Sequence, residues 1–392
     1  MKPLIFILDF FTSLRLTVIC LTMAMVLVFI GTIAQVKLGL YLAQEHYFQS
    51  LFVFWQPNGA SWKIPVWPGG YLLGGLLLVN LIAAQIRRFH FTKKKIGIYV
   101  THAGLILLFV GQFATQLLQI ETFMAIPEGA STNYSESGRV SEIAVIDTTD
   151  ANTDHVVAIP ETLVARKKEI RHPDLPFTIK VQEYAKNSDP TLQRNGEKAE
   201  LEFRPAPEVT KMEDRNYPAA TIQIIPPNGS AKTMRVSTFL ADRFQRESIR
   251  KQFGSELPDF DTSDTYTQAG RTYRIVMRSQ RFYKPHTVQL LHVTHEIYKG
   301  TDVPKNFSSR VRLTRPDTGE DREALIYMNN PLRYDGETYY QSGLLPGDSG
   351  TILQVVRNPS WLTPYISCAM VAGGLVIQFM SHLIGFAKKR AK

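Results

Sequence analysis

Two histidines of this sequence lie in long apolar segments, where an ionisable side chain is costly and therefore indicates a functional site. His102 follows Lys95 by seven residues, which places it about 10 Å along a helix that rises 1.5 Å per residue. His382 precedes Lys388 by six residues, so it lies about 9 Å from that end of its segment. A neutral imidazole is a good axial ligand for haem iron. Both residues are candidate haem ligands, and their similar depths permit one haem held by both.

Each of these histidines also has an ordinary explanation, which the sequence leaves open. A histidine inside a membrane helix can be structural and hydrogen-bond to a neighbouring helix. Ala103 and Gly104 follow His102, and such small residues allow either a macrocycle or a second helix to approach closely. His382 lies closer to a helix end, where its side chain can reach the lipid headgroups. We therefore expect His102 rather than His382 to be the better candidate.

The segment 292–296, His-Val-Thr-His-Glu, resembles a metal-binding box, but its spacing does not fit one. Zinc proteases carry two histidines at positions i and i+4 on one helix face, whereas His292 and His295 are three residues apart in a segment that looks like a strand. Successive side chains of a strand point to opposite faces, so the two imidazoles could share an ion only across a bulge. We predict no metal site other than haem iron. Three further histidines have polar surroundings and are expected on the surface: His155, His172 and His286.

No other group of residues indicates a conventional enzyme. The sequence has no G-x-S-x-G, Walker or Rossmann fingerprint in a fitting context, and it does not place any pair of carboxylates on one face. Its two cysteines, Cys20 and Cys368, both fall in apolar segments. A disulfide scaffold and a C-x-x-C thiol oxidoreductase are therefore excluded. We predict no catalytic residue in this chain.

The elements that must position the two membrane histidines are transmembrane helices. The mean hydropathy of the chain is only −0.09, but its apolar residues are clustered. A hydrocarbon core of about 30 Å requires about 20 apolar residues per helix. Four segments approach that length: 13–36, 70–86, 96–118 and 363–387. A cleaved signal peptide is the alternative for residues 1–36, but the apolar stretch is too long and no A-x-A-type site follows it.

The basic residues indicate which ends of these helices lie in the cytoplasm. The net charge of +9 could suggest nucleic acid as a partner, but two clusters of basic residues lie beside the apolar segments. The clusters are Arg87, Arg88, Lys93, Lys94 and Lys95 between segments two and three, and Lys388, Lys389, Arg390 and Lys392 after segment four. Such clusters hold helix ends in the cytoplasm. We therefore predict a multi-pass membrane protein with both termini cytoplasmic and no nucleic-acid partner.

Two regions are then predicted to lie outside the cytoplasm. The loop 37–69 is rich in aromatic residues, as expected for the belt at a membrane interface, although a wall for a flat apolar ligand is the alternative. The region 119–362 contains runs of β-branched and aromatic residues that indicate strands. The runs 310–313 and 324–327 flank the turn sequence 316–319, which predicts a hairpin.

The predicted fold class is a membrane protein with four transmembrane α-helices, three N-terminal and one C-terminal. A large, mainly β extracytoplasmic domain lies between helices three and four. The predicted domains are a membrane region at 1–118, the outer domain at 119–362, the last helix at 363–387 and a basic cytoplasmic tail at 388–392. Within the outer domain, the charged and turn-prone stretch 186–220 is predicted to be a long loop or an excursion of the chain.

Several short sequences, taken in order along the chain, resemble the ResB (CcsB-type) family. In the membrane segments they are Leu14-Arg15-Leu16-Thr17-Val18, Gly31-Thr32-Ile33-Ala34-Gln35, Pro68-Gly69-Gly70-Tyr71, Asn80-Leu81-Ile82, and His102 followed by Gly111-Gln112. In the outer domain they are found at 175–179, 298–309, 330–342 and 353–359, while 186–285 is the least distinctive region. Each sequence is weak alone, but their order and the topology make the combination fairly specific.

The resemblance implies a role in the system II pathway of cytochrome c biogenesis. ResB-type proteins act there with a multi-span ResC/CcsA-type partner, and the two export haem and attach it to apocytochrome c. The family's membrane histidine corresponds to His102 and pairs with a histidine of the partner. Haem b is then a cofactor shared between subunits, which weakens the case for His382. The sequence lacks the tryptophan-rich W-G-x-x-W-x-W-D loop, so the haem-attachment site is expected on the partner.

Two functions therefore remain open at this point. The first is a non-autonomous subunit of a holocytochrome c synthase complex, in which His102 is a haem ligand. Thiol-reducing proteins of the same pathway are further candidate partners. The alternative is a membrane-anchored assembly or binding protein with a periplasmic domain and no haem role, in which His102 is structural. A membrane enzyme would need a catalytic constellation that the sequence does not show.

Overall fold

The structure of the protein is a computed structural model, which describes residues 9–57, 62–88, 92, 95–151, 153–195, 198–209, 215–242, 245–246, 251, 265–300 and 304–390. The chain divides into two compact units. Of the described residues, those of 9–120 and 357–390 form the membrane unit, and those of 121–209 and 215–356 form the β domain. Of the basic residues in the predicted cytoplasmic clusters, Lys93, Lys94 and Lys392 lie outside the described residues.

Within the residues that the structure describes, four helices are long and apolar enough to cross a membrane. They are α1 (Leu14–Ala43), α2 (Gly70–Arg88), α3 (Ile96–Leu118) and, after two short helices α4 (Glu161–Val164) and α5 (Thr238–Ala241), the C-terminal α6 (Thr363–Arg390). In α1 no charged residue occurs between Arg15 and Lys37, so the helix is apolar on all sides, as lipid contact requires. Together with the strands between α3 and α6, the four helices confirm the predicted fold class.

The chain reverses at Gly39, inside α1, which therefore consists of two helical pieces joined by a kink. The φ of 75° at Gly39 is accessible to glycine without strain. The following π-helix, Gln44–Phe48, returns along α1, because a Cβ atom on Gly31 would lie only 2.8 Å from Cζ of Phe48. In a continuous helix these two residues would be about 25 Å apart.

A β-hairpin follows the π-helix. Its strands are β1 (Phe52–Trp55) and β2 (Ile64–Pro68), which pair antiparallel. The hairpin packs on the helices through Val53, which is buried with residues of α1 and α2, and through Trp67. The indole N–H of Trp67 donates to the carbonyl oxygen of Met23 at 3.3 Å. Part of the predicted aromatic loop is thus helical, and part is a hairpin packed on α1.

The β domain is built from antiparallel strands. In chain order they are β3 (Ile120–Pro127), β4 (Ser131–Asp147), β5 (His155–Pro160), β6 (Glu169–Ile170), β7 (Thr178–Ala185), β8 (Ser188–Asn195), β9 (Lys198–Pro205), β10 (Ala219–Ile225), β11 (Lys232–Ser237), β12 (Thr265–Gln268), β13 (Arg271–Ile297), β14 (Pro304–Arg315), β15 (Glu320–Tyr327), β16 (Leu332–Tyr334), β17 (Glu337–Leu344) and β18 (Gly350–Arg357). One sheet has the order β15-β14-β13-β4-β3-β18-β17-β16, with β12 paired to β13 and β5 to β4. A second sheet has the order β11-β10-β7-β6, and β8 pairs with β9.

The long strand β13 contributes to both hydrophobic cores of the domain. Its first half places Tyr273 and Ile275 in a core with the second sheet, where the Tyr273 ring meets Phe177 edge-on at a centroid distance of 5.2 Å. Its second half places Val288 and Leu290 in a core with β3, β14, β17 and β18. Buried residues alternate along both halves, as expected when one face of a strand is covered.

The structure corrects one strand prediction and confirms another. The stretch 186–220 is not a long loop, because β8 and β9 form a hairpin within it and β10 begins at Ala219. The apolar residues Ala199, Leu201 and Phe203 do alternate with charged ones in β9, but the many charged and turn-prone residues of the whole stretch outweighed this signal. The predicted hairpin around 316–319 is confirmed as β14–β15, with Gly319 in the turn at a φ of 68°.

Candidate functional site

His102 lies in the second turn of α3 and is half-buried. Its Nδ1 atom lies 2.7 Å from the carbonyl oxygen of Ile98, four residues earlier in the same helix. Because a carbonyl oxygen can only accept, Nδ1 carries the proton and Nε2 keeps a free lone pair. Among the residues that the structure describes, none hydrogen-bonds to Nε2. This is the tautomer of a histidine prepared to bind a metal through Nε2.

The rotation of α3 is fixed by its packing against α6. The buried residues of α3 are glycines spaced seven apart: Gly97, Gly104 and Gly111. A Cβ atom on Gly97 would lie 2.5 Å from the carbonyl oxygen of Gly374, and one on Gly104 would lie 2.9 Å from Val371. Small residues permit such close approach of helix backbones. His102 follows Gly97 by five residues, which turns it about 140° around the helix and therefore away from α6.

His382 lies in a different position, on α6. It is exposed, and its Nε2 atom lies 2.8 Å from the side-chain Nε2 of Gln378. The helix packing also separates it from His102, because Gly374 meets Thr101, the neighbour of His102, and His382 is eight residues further along α6. Eight residues correspond to about 12 Å along a helix axis. Two axial ligands of one iron must lie within a few ångström of each other, so this level difference disfavours a haem held by both histidines.

The histidines of the 292–296 segment each have a carboxylate partner. Nδ1 of His292 lies 2.8 Å from Glu128, and Nδ1 of His295 lies 3.0 Å from Asp348, while the His295 ring stacks on Phe307. Within the described residues, no group of three or more His, Cys, Asp or Glu side chains could hold a metal ion. These histidines thus take part in separate ion pairs when protonated.

His286 was expected on the surface, and this prediction is wrong. The residue is 1% exposed, whereas His155 and His172 are exposed as expected. The alternation of β13 explains the difference. His286 is separated from the buried Val288 and Leu290 by even numbers of residues, so its side chain lies on the same, buried face of the strand. This even spacing can be read from the sequence, but the polar neighbours of His286 favoured a surface position instead.

The burial of His286 creates a polar network inside the β domain. The hydroxyl of Tyr339 donates to Glu337 at 2.8 Å, and the Lys284 ammonium donates to the same carboxylate at 2.7 Å. Nε2 of His286 lies 2.8 Å from the Tyr339 oxygen, so it must donate its proton there. Nδ1 is buried, and none of the described residues hydrogen-bonds to it. Burial lowers the pKa of His286, against the opposing charge of Glu337, and burial also raises the pKa of Tyr339.

The helices and the β domain together define a class: a multi-span membrane protein that carries one large, mainly β domain between its third and fourth spans. Within this class, the model of the ResB-like family matches residues 258–352. The protein NrfI of Wolinella succinogenes is 25% identical over 132 residues, which are 34% of this chain and 15% of that protein. The matched region thus spans a small part of the length of this relative.

These comparisons confirm the resemblance to ResB-type proteins. The residues that the family model matches lie between α3 and α6. They include neither His102 nor His382, so the assignment of a haem ligand stays a prediction.

Proposed function

We propose that this chain is a non-autonomous subunit of a system II cytochrome c maturation complex. It acts with a ResC/CcsA-type multi-span partner, and the complex exports haem and attaches it to apocytochrome c. The haem-attachment site lies on the partner, and thiol-reducing proteins of the same pathway are further partners. The similarity of residues 258–352 to the ResB-like family supports this proposal.

In this proposal His102 is an axial ligand of a haem b that the two subunits share. The hydrogen bond from Nδ1 of His102 to the Ile98 carbonyl carries this assignment, because it fixes the ring and leaves Nε2 free to bind iron. The position of His102 on the face of α3 away from α6 supports a ligand reached from outside this pair of helices. His102 and His382 are separated along the helix axes, and this separation supports a second ligand from the partner.

The proposed localisation is a bacterial inner membrane, with both termini in the cytoplasm and the β domain on the periplasmic side. The basic residues at the ends of α2 and α6 favour this orientation. Single cysteines at Thr318 and Lys389, in a chain with Cys20 and Cys368 replaced by serine, would test it. We expect a membrane-impermeant thiol reagent to label the cysteine at 318 in intact spheroplasts and the cysteine at 389 only after lysis. The reverse pattern would refute the orientation.

The haem assignment is tested on the complex of this chain with its partner. We expect the wild-type complex to purify with haem that has a bis-histidine Soret spectrum. His102→Ala should lose this haem or change its spectrum, and added imidazole should restore the spectrum by occupying the vacated position. His382→Ala is the matched control, because it removes a membrane histidine whose Nε2 is already hydrogen-bonded. Unchanged haem content in His102→Ala would instead favour a membrane-anchored assembly protein with no haem role.

A further inference from the structure

The β domain contains a cavity of 560 Å³ beside the core that includes Tyr273. Its apolar wall is formed by Val145, Val157 and Leu175, which belong to that core or pack against it. The volume is within the usual range for small-molecule sites, about 300–1,000 Å³. The cavity is therefore large enough to enclose a side chain or a small ligand.

The strand register places polar groups of the cavity on one face of the sheet. Asp147 of β4 is paired with Tyr273 of β13 on one side and with His155 of β5 on the other. Directly paired residues of antiparallel strands have their side chains on the same face, and Arg271, two residues before Tyr273, shares that face. Because Tyr273 is a core residue, this is the face that packs on the second sheet.

The lining of the cavity has an excess of negative charge. It includes Asp147, Asp150 and Asp174, whereas Arg271 is the one lysine or arginine among the described lining residues. The guanidinium of Arg271 lies 3.5 Å from the carboxylate of Asp147. Within the described residues, no group of three or more His, Cys, Asp or Glu side chains could hold a metal ion. The surplus of carboxylates therefore favours an organic cation.

The hydroxyl of Tyr273 is a second feature of the lining that indicates a ligand. Tyr273 is 2% exposed, and among the described residues its buried hydroxyl has no hydrogen-bond partner. The ring meets Phe177 edge-on, but a phenylalanine side chain has no group that hydrogen-bonds to a hydroxyl. A buried polar group without a partner is costly. An ammonium or guanidinium group in the cavity would remove this cost by donating to the Tyr273 oxygen.

The strand β5 gives the cavity a free sheet edge. Residues 155–157 of β5 line the cavity, and β5 pairs with β4 on one side only, as far as the described strands extend. Outside that pairing, the backbone groups of 155–159 make no backbone hydrogen bond to another described residue. Such an edge is a template for an added strand. In strand addition, main-chain hydrogen bonds hold a peptide, and pockets receive its alternate side chains.

We propose that β5 and this cavity bind an extended peptide segment, whose backbone adds to the sheet beside β5 and whose lysine or arginine side chain enters the cavity. The aliphatic stem of that side chain lies along the apolar wall, and its charged end meets Asp147, Asp174 and the Tyr273 hydroxyl. Charge complementarity favours this occupant over a second copy of the chain, because β5 itself (His155–Pro160) has no lysine or arginine to offer. The inference goes beyond the proposed function, and no part of it depends on haem.

The probes are three fluorescent peptides of about six residues, the usual length of a strand. One has a lysine between β-branched residues, the second has norleucine in place of the lysine, and the third has the lysine and N-methylated backbone amides. Fluorescence anisotropy follows their binding to the full-length protein in detergent. We expect the lysine peptide to bind about tenfold more tightly than either of the others, because one lacks the charged hydrogen bond and the other lacks the backbone donors.

Variants of the lining then locate the site. Asp147→Asn with Asp174→Asn should weaken binding of the lysine peptide about tenfold and leave binding of the norleucine peptide unchanged, which also shows that the variant is folded. If the double variant does not fold, Asp174→Asn alone replaces it, since that side chain is 77% exposed. Asp317→Asn is the matched control, because Asp317 is exposed in the turn between β14 and β15 and does not line the cavity.

Tyr273→Phe separates a ligand-binding hydroxyl from a structural one. It should weaken binding of the lysine peptide without lowering the melting temperature, whereas a structural hydroxyl would lower the melting temperature. Equal binding of the lysine and norleucine peptides by the wild type would overturn the recognition of a basic side chain. Equal binding of the N-methylated peptide would overturn strand addition, and a dimer that the lysine peptide does not dissociate would assign the edge of β5 to a second copy instead.

Discussion

Gly374 of α6 lies so close to Thr101 of α3 that a Cβ atom added to it would be 2.6 Å from the Thr101 backbone nitrogen. Thr101 precedes His102, so this contact fixes both the rotation of α3 and the direction in which His102 leaves the helix. A backbone atom cannot yield as a flexible side chain does. Changing the contact between α3 and α6 therefore tests whether this contact positions the candidate haem ligand.

Gly374→Ala should lower the thermal stability of the full-length protein in detergent, by about 1–3 kcal/mol, because overpacking forces the two helices apart. It should also reduce haem content in the complex with the partner, if His102 is the ligand. Gly373→Ala is the control, because a Cβ atom there would have no neighbour within 4 Å. Equal melting temperatures for the two variants would show that the helices do not pack as closely as described.

Asn80 of α2 links two helices inside the membrane unit. It is 4% exposed, accepts a hydrogen bond from the Thr17 hydroxyl at 2.6 Å, and donates to the carbonyl oxygens of Phe11 and Ser13. Asn80→Leu should destabilise the protein by about 1–3 kcal/mol, because it removes three hydrogen bonds of a buried side chain to partly buried groups. Val79→Ala, at the exposed neighbouring position, should have a smaller effect. Thermal unfolding in detergent measures both, and a larger loss at position 79 would contradict this role of Asn80.

Arg278 and Glu142 form a buried ion pair between β13 and β4. Their side chains are 6% and 5% exposed, and the guanidinium Nε donates to the carboxylate at 3.0 Å. Glu142→Leu should cost about 3–5 kcal/mol, because Arg278 is left buried without its carboxylate. The double replacement with Arg278→Met should cost much less, since no uncompensated charge remains.

Denaturant unfolding of the four proteins in this double-mutant cycle gives the coupling free energy. Asp321→Asn supplies the exposed comparison, because Asp321 and Arg312 are each about half exposed and such pairs contribute at most about 1 kcal/mol. Additive effects of the two replacements at 142 and 278 would show that the buried charges do not interact.

The buried His286 predicts a pH dependence of stability. Burial lowers its pKa in the folded protein below the ordinary value of about 6.5 that it has in the unfolded chain. The unfolded state therefore binds a proton more readily, and stability falls as the pH decreases from about 6.5 towards the lower folded pKa. His286→Phe should remove this component of the pH dependence, even if it changes stability at neutral pH.

Thermal unfolding between pH 8 and pH 5 compares the two proteins. His172→Phe is the control, because His172 is exposed and its replacement should leave the profile of the wild type unchanged. A profile of His286→Phe parallel to that of the wild type throughout this range would refute the assignment to His286.

The sequence alone determined the four membrane helices, the mainly β domain between them and the depth of His102. These features depend on local composition, since lipid burial requires long apolar segments and strands show runs of β-branched residues. The sequence also contained the even spacing that places His286 on the buried face of β13, although the polar residues around it outweighed that signal. The hairpin of β8 and β9 escaped prediction because the charged and turn-prone residues around it outweighed the short apolar alternation of β9.

Only the tertiary structure decided what surrounds these residues. Whether His102 faces α6 or points away depends on which side of α3 carries the contact with Gly374, and helix rotation is set by non-local packing. The separation of His102 from His382 along the helix axes follows from the same contact, which places Gly374 of α6 beside Thr101 of α3. The aspartate-lined cavity of the β domain exists because β4 pairs with both β5 and β13, which brings Asp147 beside Tyr273 although the two are far apart in sequence. Such contacts depend on how distant segments pack, and no local pattern of residue types encodes them.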